Sequence, residues 1–192
     1  MSKIKIALFA SGTGSNVLNI INYFSSNQEI EVDCVISNNA EAGALNHGLE
    51  AEIDTFLFAK SELEDGEVVA LLKERGVDLV VLAGFLLKIP AHLVESYPNK
   101  IINIHPALLP SYGGKGMYGM NVHNAVISNK DSKSGITIHL VNEFYDEGAI
   151  LEQHTVELVE DESTESLVKK IHVLEQAHFP KAIETYILNL NN

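Results

Sequence analysis

The sequence predicts an α/β fold, with a doubly wound, mostly parallel sheet flanked by helices and an antiparallel pair of strands in the C-terminal half. Strand-like and helix-like segments alternate through the first half of the chain. Segment 78–83 is apolar along nearly its whole length, which is typical of a strand covered on both faces. The 192 residues, 46% of them hydrophobic, suffice for a full core. We therefore expect one domain over residues 1–192.

The first half of the chain reads as strands separated by helices, each bounded by turn or capping residues. Apolar runs predict strands over residues 3–9, 31–37, 55–58 and 78–83. Helical spacing predicts helices over residues 16–24, 40–50 and 61–75. Ser61 is the expected N-cap of the helix over 61–75, and Gly76 is expected to end that helix. A short helix is expected after Pro90, ending near Tyr97.

The second half begins with a strand and then departs from simple alternation. A strand over 100–104 leads into a long loop, 105–120, that contains four glycines. A helix is expected over 121–128, followed by strands over 136–141 and 149–156 that pair with each other or join one edge of the sheet. The last helix is expected to begin at Ser163 and run towards Phe179, where Pro180 interrupts or bends it.

The charge balance narrows the classes of partner. The chain carries 13 basic and 26 acidic residues, a formal net charge of −13. Arg75 is the one arginine in the sequence. Proteins that bind nucleic acid present basic faces, so the composition argues against nucleic acid as a partner. An anionic small molecule would have to be held by backbone N–H groups and a few lysines.

Other sequence features point to a cytoplasmic protein. No apolar run reaches the length of a membrane span, and the start of the chain lacks the pattern of a secretory signal. Cys34 is the one cysteine, so no internal disulfide can form, and a reduced compartment is expected. The eight histidines are scattered, without the spacing of a metal site, so no metal is expected.

A glycine-rich loop follows the first strand and consists of Gly12, Thr13, Gly14, Ser15 and Asn16. Successive glycines let backbone N–H groups converge at a helix N-terminus, which is a suitable cradle for a phosphate. The third glycine of the dinucleotide fingerprint is absent, and so is the Walker A pattern, which favours a mononucleotide or sugar phosphate. The alternative is a plain turn that only makes room for the helix.

A second motif, Asn103-Ile104-His105-Pro106, ends the strand predicted over 100–104. Asn103 and His105 project to the same face because they are two residues apart on a strand. An amide beside an imidazole suits stabilisation of a developing oxyanion. Asp146 lies in a turn between the last two predicted strands, and a carboxylate near His105 would raise its pKa and orient its ring. The alternatives are a capped strand end and an ordinary acidic turn.

A second histidine, His139, shares a strand face with Thr137 and Val141. It either lines the same cleft as His105 or is a hydrogen-bonded histidine of the sheet. Nothing in the sequence predicts a covalent nucleophile, since Gly-x-Ser-x-Gly is absent and Cys34 reads as a core residue.

Taken in order, these motifs resemble those of the phosphoribosylglycinamide formyltransferases, folate-dependent enzymes of purine synthesis. The resemblance is carried by the Gly12–Asn16 loop, by Leu82-Ala83-Gly84-Phe85, by the Asn103–Pro110 run and by Asp146. It implies a Rossmann-like formyltransferase fold, with residues 1–192 as a single catalytic domain. It also implies transfer of a formyl group from 10-formyltetrahydrofolate to the glycinamide amine of 5-phosphoribosylglycinamide, in de novo purine (IMP) biosynthesis.

The resemblance further implies a role for each site residue. His105 would be the general acid, Asn103 would hold the formyl oxygen and Asp146 would keep His105 protonated. The ribonucleotide would be bound by Gly12, Thr13, Gly14, Ser15, Asn16, Pro106 and Glu175, with Gly14–Asn16 on the phosphate and Glu175 on the ribose hydroxyls. The folate would be bound by Leu86, Leu87, Lys88, Ile89, Asn103 and Val141.

Two of these expectations have alternatives in the sequence itself. Glu175 shares a helical stripe with Val168, His172 and Phe179. This places a carboxylate beside apolar residues, where it needs a polar partner such as the ribose hydroxyls. The alternative is a charge at the rim of a solvated helix. The glycine-rich loop 111–119 is longer than in familiar relatives, so its contacts do not transfer, and it suggests a mobile lid in which Lys115 touches phosphate or folate.

Three rival functions are kept open. A transfer-RNA formyltransferase shares the Asn-His-Asp set but is expected to carry an extra C-terminal domain and a basic face. A formyltetrahydrofolate hydrolase uses the same residues on water and usually bears an N-terminal regulatory domain. A nucleotide-sensing module would explain the glycine loop but leaves Asn103, His105 and Asp146 without a task. For the transferase, the expected partners are the two small substrates, and the expected state is a monomer or homodimer.

Overall fold

The computed structural model describes residues 3–190, which form two compact units. The first unit ends at Ile102 and the second begins at Asn103. Met1, Ser2, Asn191 and Asn192 belong to the predicted single domain but lie outside the described residues. The prediction of one domain over residues 1–192 stays a prediction.

The predicted mostly parallel sheet is confirmed. It has seven strands in the order β3-β2-β1-β4-β5-β6-β7, and the boundary between the units falls within β5. The strands are β1 (Ile4–Phe9), β2 (Ile30–Ser37), β3 (Asp54–Leu57), β4 (Leu79–Leu82), β5 (Ile101–His105), β6 (Lys133–Leu140) and β7 (Ile150–Glu157).

Seven helices are found within residues 3–190. They are α1 (Ser15–Phe24), α2 (Gly43–Glu50), α3 (Lys60–Glu64), α4 (Glu67–Arg75), α5 (Ala91–Ser96), α6 (Met120–Ser128) and α7 (Thr164–Leu190). None of them is both long enough and apolar enough to cross a membrane.

The first unit is built around β1, which pairs in parallel with β2 and β4. Phe9, at the carboxyl end of β1, lies opposite Ile36 on one side and Leu82 on the other. All four residues of β4 are buried, as the continuous apolar run predicts for a strand covered on both faces. The chain leaves β1 for the glycine-rich loop at this carboxyl end, where ligands bind in open α/β sheets.

The helix predicted over 61–75 is wrong, because the chain forms two helices there. Gly66 has φ +88° and separates α3 from α4. This left-handed conformation suits glycine and ends a helix. Ser61 is inside α3 and does not cap it; the Glu62 carboxylate accepts from the backbone N–H of Ala59 instead. The predicted stop at Gly76 is confirmed, with φ +69°.

Arg75 and Asp33 form a structural ion pair in the first unit. Arg75 Nε donates to Asp33 Oδ2 at 2.5 Å, and its guanidinium also bonds Asp54 and lies over the ring of Phe56. Lys5 Nζ donates to Asp33 Oδ1 at 2.9 Å. The one arginine of the chain therefore connects the end of α4 to β2 and β3.

The antiparallel pair predicted in the second unit is confirmed as β6 and β7. The register runs from Lys133 opposite Glu157 to Ile138 opposite Glu152, and it shifts between Ile138 and His139. Such an irregularity re-aims the next side chain, which here is His139.

The sequence left open whether Pro180 interrupts or bends the last helix, and the interruption is wrong, because α7 continues through Pro180 to Leu190. The helix begins at Thr164, next to the predicted start at Ser163, and Ser163 caps it, since its Oγ accepts from the N–H of Ser166 at 3.1 Å. Pro180 removes one backbone donor. Buried apolar residues on both sides of the proline, Phe179 before it and Ala182 and Ile183 after it, pack one continuous face.

Candidate active site

Asn103, His105 and Asp146 lie within one cluster in the second unit. Strand β5 projects Asn103 and His105 to the same side, and His105 is only 3% exposed. Asp146, in the turn after β6, has φ +56° and places Oδ2 3.7 Å from Nδ1 of His105. The structure thus brings the three predicted side chains together, while their catalytic roles stay predictions.

His139 joins the cluster through Asn103. Its Nδ1 lies 2.8 Å from the backbone oxygen of Leu140, which can only accept, so Nδ1 carries the hydrogen. In the neutral ring Nε2 then accepts from Asn103 Nδ2 at 3.0 Å. Burial lowers the pKa of His139, which favours this neutral form. His139 is therefore a hydrogen-bonded histidine of the sheet that also lies beside the cluster.

Asp146 lies between the two histidines. Its Oδ1 is 3.7 Å from Nε2 of His139, the same separation as between Oδ2 and Nδ1 of His105. At such distances the carboxylate acts on the rings through its charge, directly or through a bridging water.

The charge state of His105 is set by opposing effects. Burial lowers its pKa; Asp146 and the backbone carbonyl of Tyr112 raise it by less. Asp146 thus acts in the predicted direction, but the pKa of His105 lies below its ordinary value. Nε2 donates to the Tyr112 oxygen at 2.8 Å, so a further proton is gained at Nδ1, which faces Asp146.

Residues 112–114 contact both predicted proton-handling groups, and sequence reasoning missed them. The carbonyl of Tyr112 accepts from His105, while the N–H of Gly114 donates to Asp146 Oδ2 at 2.9 Å. A side chain at Gly113 would lie 2.7 Å from Leu109 Cδ2 and 3.3 Å from Asp146 Cβ. The run of glycines from 113 was the available signal. Lys115, which the sequence offered only as a candidate contact for phosphate or the folate glutamate, is exposed.

The glycine-rich loop lies in the first unit, at the start of α1. Gly14 is the N-cap, with φ +80°, and a Cβ there would lie 2.5 Å from Ala44 Cα. Close packing against α2 therefore accounts for Gly14 without a ligand. A Cβ at Gly12 would meet no heavy atom within 4 Å among residues 3–190, and Gly12 and Thr13 are both exposed. Packing therefore does not account for Gly12, and the phosphate cradle and the plain turn both stay open.

The predicted folate segment lies beside this loop. The backbone N–H of Leu86 donates to Ser11 Oγ at 3.0 Å, and that hydroxyl donates to Asn38 Oδ1 at 2.7 Å. Ser11, the residue just before the glycines, is a connection that sequence reasoning missed. Leu86 is 50% exposed. Along the rest of the segment Leu87 is half-buried, Lys88 exposed and Ile89 buried.

The remaining predicted residues belong to the second unit. Pro106 follows β5 and Val141 follows β6, and both are half-buried. On α7, the side chain of Glu175 is 15% exposed, with Oε2 3.7 Å from Nδ1 of His172. Glu175 is thus more buried than a charge at a solvated rim, which leaves the predicted ribose contact open.

The chemistry of the described side chains is that of proton transfer and hydrogen bonding. Within residues 3–190, no three His, Cys, Asp or Glu side chains are grouped so as to hold a metal ion. Cys34 is buried in β2, and burial raises the pKa of its thiol to about 12, so it is a poor nucleophile.

Comparison with known proteins identifies the family. The family model described as formyl transferase matches residues 4–183. The phosphoribosylglycinamide formyltransferase of Bacillus subtilis is 31% identical over 194 residues, covering 98% of this chain and 96% of the relative. The crystal structure of phosphoribosylglycinamide formyltransferase from Anaplasma phagocytophilum superposes with a TM-score of 0.86 at 34% identity, covering 95% of this chain and 85% of that one.

Higher identity is found with a longer plant protein. The chloroplastic phosphoribosylglycinamide formyltransferase of Arabidopsis thaliana is 42% identical over 174 residues, which cover 87% of this chain. The chain spans 60% of the length of that relative. From the matched family model and from relatives covered over nearly their whole length, the chain belongs to the formyl transferase family, among the phosphoribosylglycinamide formyltransferases.

Proposed function

We propose that the chain transfers a formyl group from 10-formyltetrahydrofolate to the amine of 5-phosphoribosylglycinamide, a step of de novo purine (IMP) biosynthesis. The observation that carries the proposal is the cluster of Asn103, His105 and Asp146 at the end of β5, in which His105 is buried and the other two are half-buried. Such a cluster offers an amide donor, an imidazole and a carboxylate to one reacting carbonyl. The family to which the chain belongs acts on a formyl group, which is such a carbonyl.

In the second unit, Asn103 and His105 stabilise the charge that develops on the formyl oxygen. An amide nitrogen has two N–H groups, so the bond to His139 leaves Asn103 with a second donor. His105, protonated at Nδ1, donates or transfers a proton, and Asp146 stabilises its positive charge. The amine attacks the formyl carbon directly, and the bond from that carbon to the folate nitrogen breaks as the amine proton passes to this nitrogen. No covalent adduct with the protein is required, in keeping with the buried, high-pKa thiol of Cys34.

In the first unit, the backbone of Gly12–Asn16 holds the ribonucleotide phosphate at the start of α1, where the helix dipole favours an anion. Residues 86–89 hold the folate, largely through backbone groups and the exposed side chain of Leu86. The folate supplies the formyl group and carries it as a co-substrate. In the second unit, Pro106 and Glu175 bind the ribonucleotide, and Val141 binds the folate.

The test is a turnover assay that separates the rival functions. Protein, 10-formyltetrahydrofolate and glycinamide ribonucleotide are mixed, and the deformylated folate is followed by its absorbance. Turnover that requires the ribonucleotide supports the proposal. Turnover on water alone would identify a hydrolase, and binding of nucleotide without turnover would identify a sensing module.

The proposal also covers the partners, the domain organisation, the oligomeric state and the cellular compartment of the protein. We infer that the partners are the two small substrates, that residues 1–192 act as one catalytic domain and that the protein is a monomer or a homodimer. The cytoplasm is the proposed compartment, although the matched plant proteins are chloroplastic. Light scattering in solution tests the oligomeric state.

A further inference from the structure

We propose that Tyr112 and Asp131 form a positioning pair, in which the bond between phenol and carboxylate fixes residues 112–114 so that their backbone holds His105 and Asp146. The effect on turnover rests on the proposed function. The effect on the histidine ring does not, since it follows from the contacts alone.

The pair stabilises a backbone conformation at Tyr112 that a tyrosine does not favour by itself. Tyr112 has φ +57°, a left-handed conformation that is uncommon outside glycine and needs support from its surroundings. Its hydroxyl donates to Asp131 Oδ2 at 2.5 Å. The other oxygen of Asp131 accepts from Asn129 Nδ2 at 2.7 Å, so the acceptor is itself held in place just after α6.

The anchored backbone contacts the cluster twice. The Tyr112 carbonyl accepts from Nε2 of His105 at 2.8 Å, and the Gly114 N–H donates to Asp146 Oδ2 at 2.9 Å. The first contact selects which ring nitrogen carries a hydrogen and turns Nδ1 towards Asp146. Movement of residues 112–114 would therefore alter the orientation of both groups at once.

The anchor can be removed without opening the core. Tyr112 and Asp131 are each half-buried. Both border a cavity of about 390 Å³, lined by Leu108, Ser111, Tyr112, Asp131, Ser132, Lys133 and Ser134. Loss of the phenolic oxygen exposes Asp131 to this space rather than leaving it sealed in an apolar interior. We expect Tyr112→Phe to fold, and the matched control is Tyr118→Phe, a half-exposed tyrosine of the same loop.

The experiment measures His105 directly and turnover separately. In Tyr112→Phe we expect kcat to fall about tenfold with little change in KM, because orientation is lost and binding is not. In ¹⁵N-histidine NMR we expect the pKa of His105 to fall, since the Tyr112 carbonyl raises it. The other titratable neighbours, Asp146, His123 and His139, are the same in variant and control.

A second set of variants separates positioning from general structure. Asp131→Ala should reproduce Tyr112→Phe, the double variant should be no worse than either, and Asp131→Asn, which keeps an acceptor, should restore most of kcat. Unchanged kcat and unchanged His105 pKa in Tyr112→Phe, or effects of the two single variants that multiply, would overturn the pair. If the wild-type protein has no formyl transfer activity, the NMR comparison still decides the positioning role.

Discussion

Asn103 Nδ2 lies 3.0 Å from Nε2 of His139, so the amide of the predicted oxyanion site is oriented by a second histidine. Neutral His139 accepts at this nitrogen and keeps the N–H side of the amide turned towards the ring. A protonated His139 would donate at this nitrogen instead, and the Asn103 amide would rotate to present its oxygen as the acceptor. The lowered pKa of His139 thus preserves Asn103 as a donor to further acceptors.

We predict that His105→Ala lowers kcat of formyl transfer by about 10²–10³-fold, with a modest change in KM. The reason is that one preorganised donor to the developing oxyanion is lost. Steady-state kinetics measures both constants, with His47→Ala as the control. A kcat close to that of the wild type would mean that His105 has a structural role.

Asp146→Asn should lower the pKa of His105 below its already reduced value. The carboxylate raises the pKa against the effect of burial, and the amide removes that contribution while keeping the shape. An NMR titration of the ring protons measures the change. Glu147→Gln, an exposed acid next in sequence, is the control; equal titrations in wild type and Asp146→Asn would remove the proposed coupling.

Gly12 and Gly14 should respond differently to alanine. Gly14→Ala should lower the free energy of unfolding by at least about 1–2 kcal/mol, because a left-handed backbone and a close approach to Ala44 both oppose a side chain. Gly12→Ala should change stability by no more than about 0.5 kcal/mol. If the loop holds phosphate, however, Gly12→Ala should raise KM for the ribonucleotide. Denaturant titration and kinetics measure the two effects, and an unchanged KM would favour the plain turn.

Arg75→Met should lower the free energy of unfolding at neutral pH by about 2 kcal/mol, because it removes charged hydrogen bonds from a carboxylate that is 6% exposed. Burial raises the pKa of Asp33, but the bonds from Arg75 and Lys5 outweigh it and leave the pKa below its ordinary value. The stabilisation is therefore present above the unfolded pKa and lost as pH falls through the folded one.

The difference between Arg75→Met and wild type should accordingly shrink in acid. Denaturant unfolding at neutral and acidic pH measures it. Lys60→Met, which breaks a pair that is mostly exposed, is the control and should cost much less. A loss that is the same at both pH values would contradict the assignment to Asp33.

Local sequence signals predicted the elements that local interactions determine. The apolar run of β4, the stop at Gly76 and the start of the last helix near Ser163 each depend on a few neighbouring residues, and the structure has them. The division at Gly66 was missed because an apolar helical pattern continues on both sides of it. The sequence left open whether the last helix breaks at Pro180, and it does not break because tertiary packing of its buried face outweighs the missing donor.

The candidate site likewise contains residues that the sequence could group and contacts that it could not reveal. Asn103 and His105 could be grouped by the two-residue repeat of a strand, and Asp146 by its place in a turn. The bond from Asn103 to His139 depends on a shift of register within β6, which the sequence does not reveal. Tyr112 and Ser11 act through a carbonyl oxygen and a hydroxyl bonded to a distant backbone N–H, and neither kind of contact leaves a pattern of residue types.

The engagement of Arg75 with Asp33 and Asp54 has a consequence for chemical modification. A reagent selective for guanidinium groups would destabilise the first unit, because it would break the bonds from Arg75 to these two carboxylates. Any inactivation it caused would follow the progress of unfolding and would not be prevented by an excess of phosphorylated substrate.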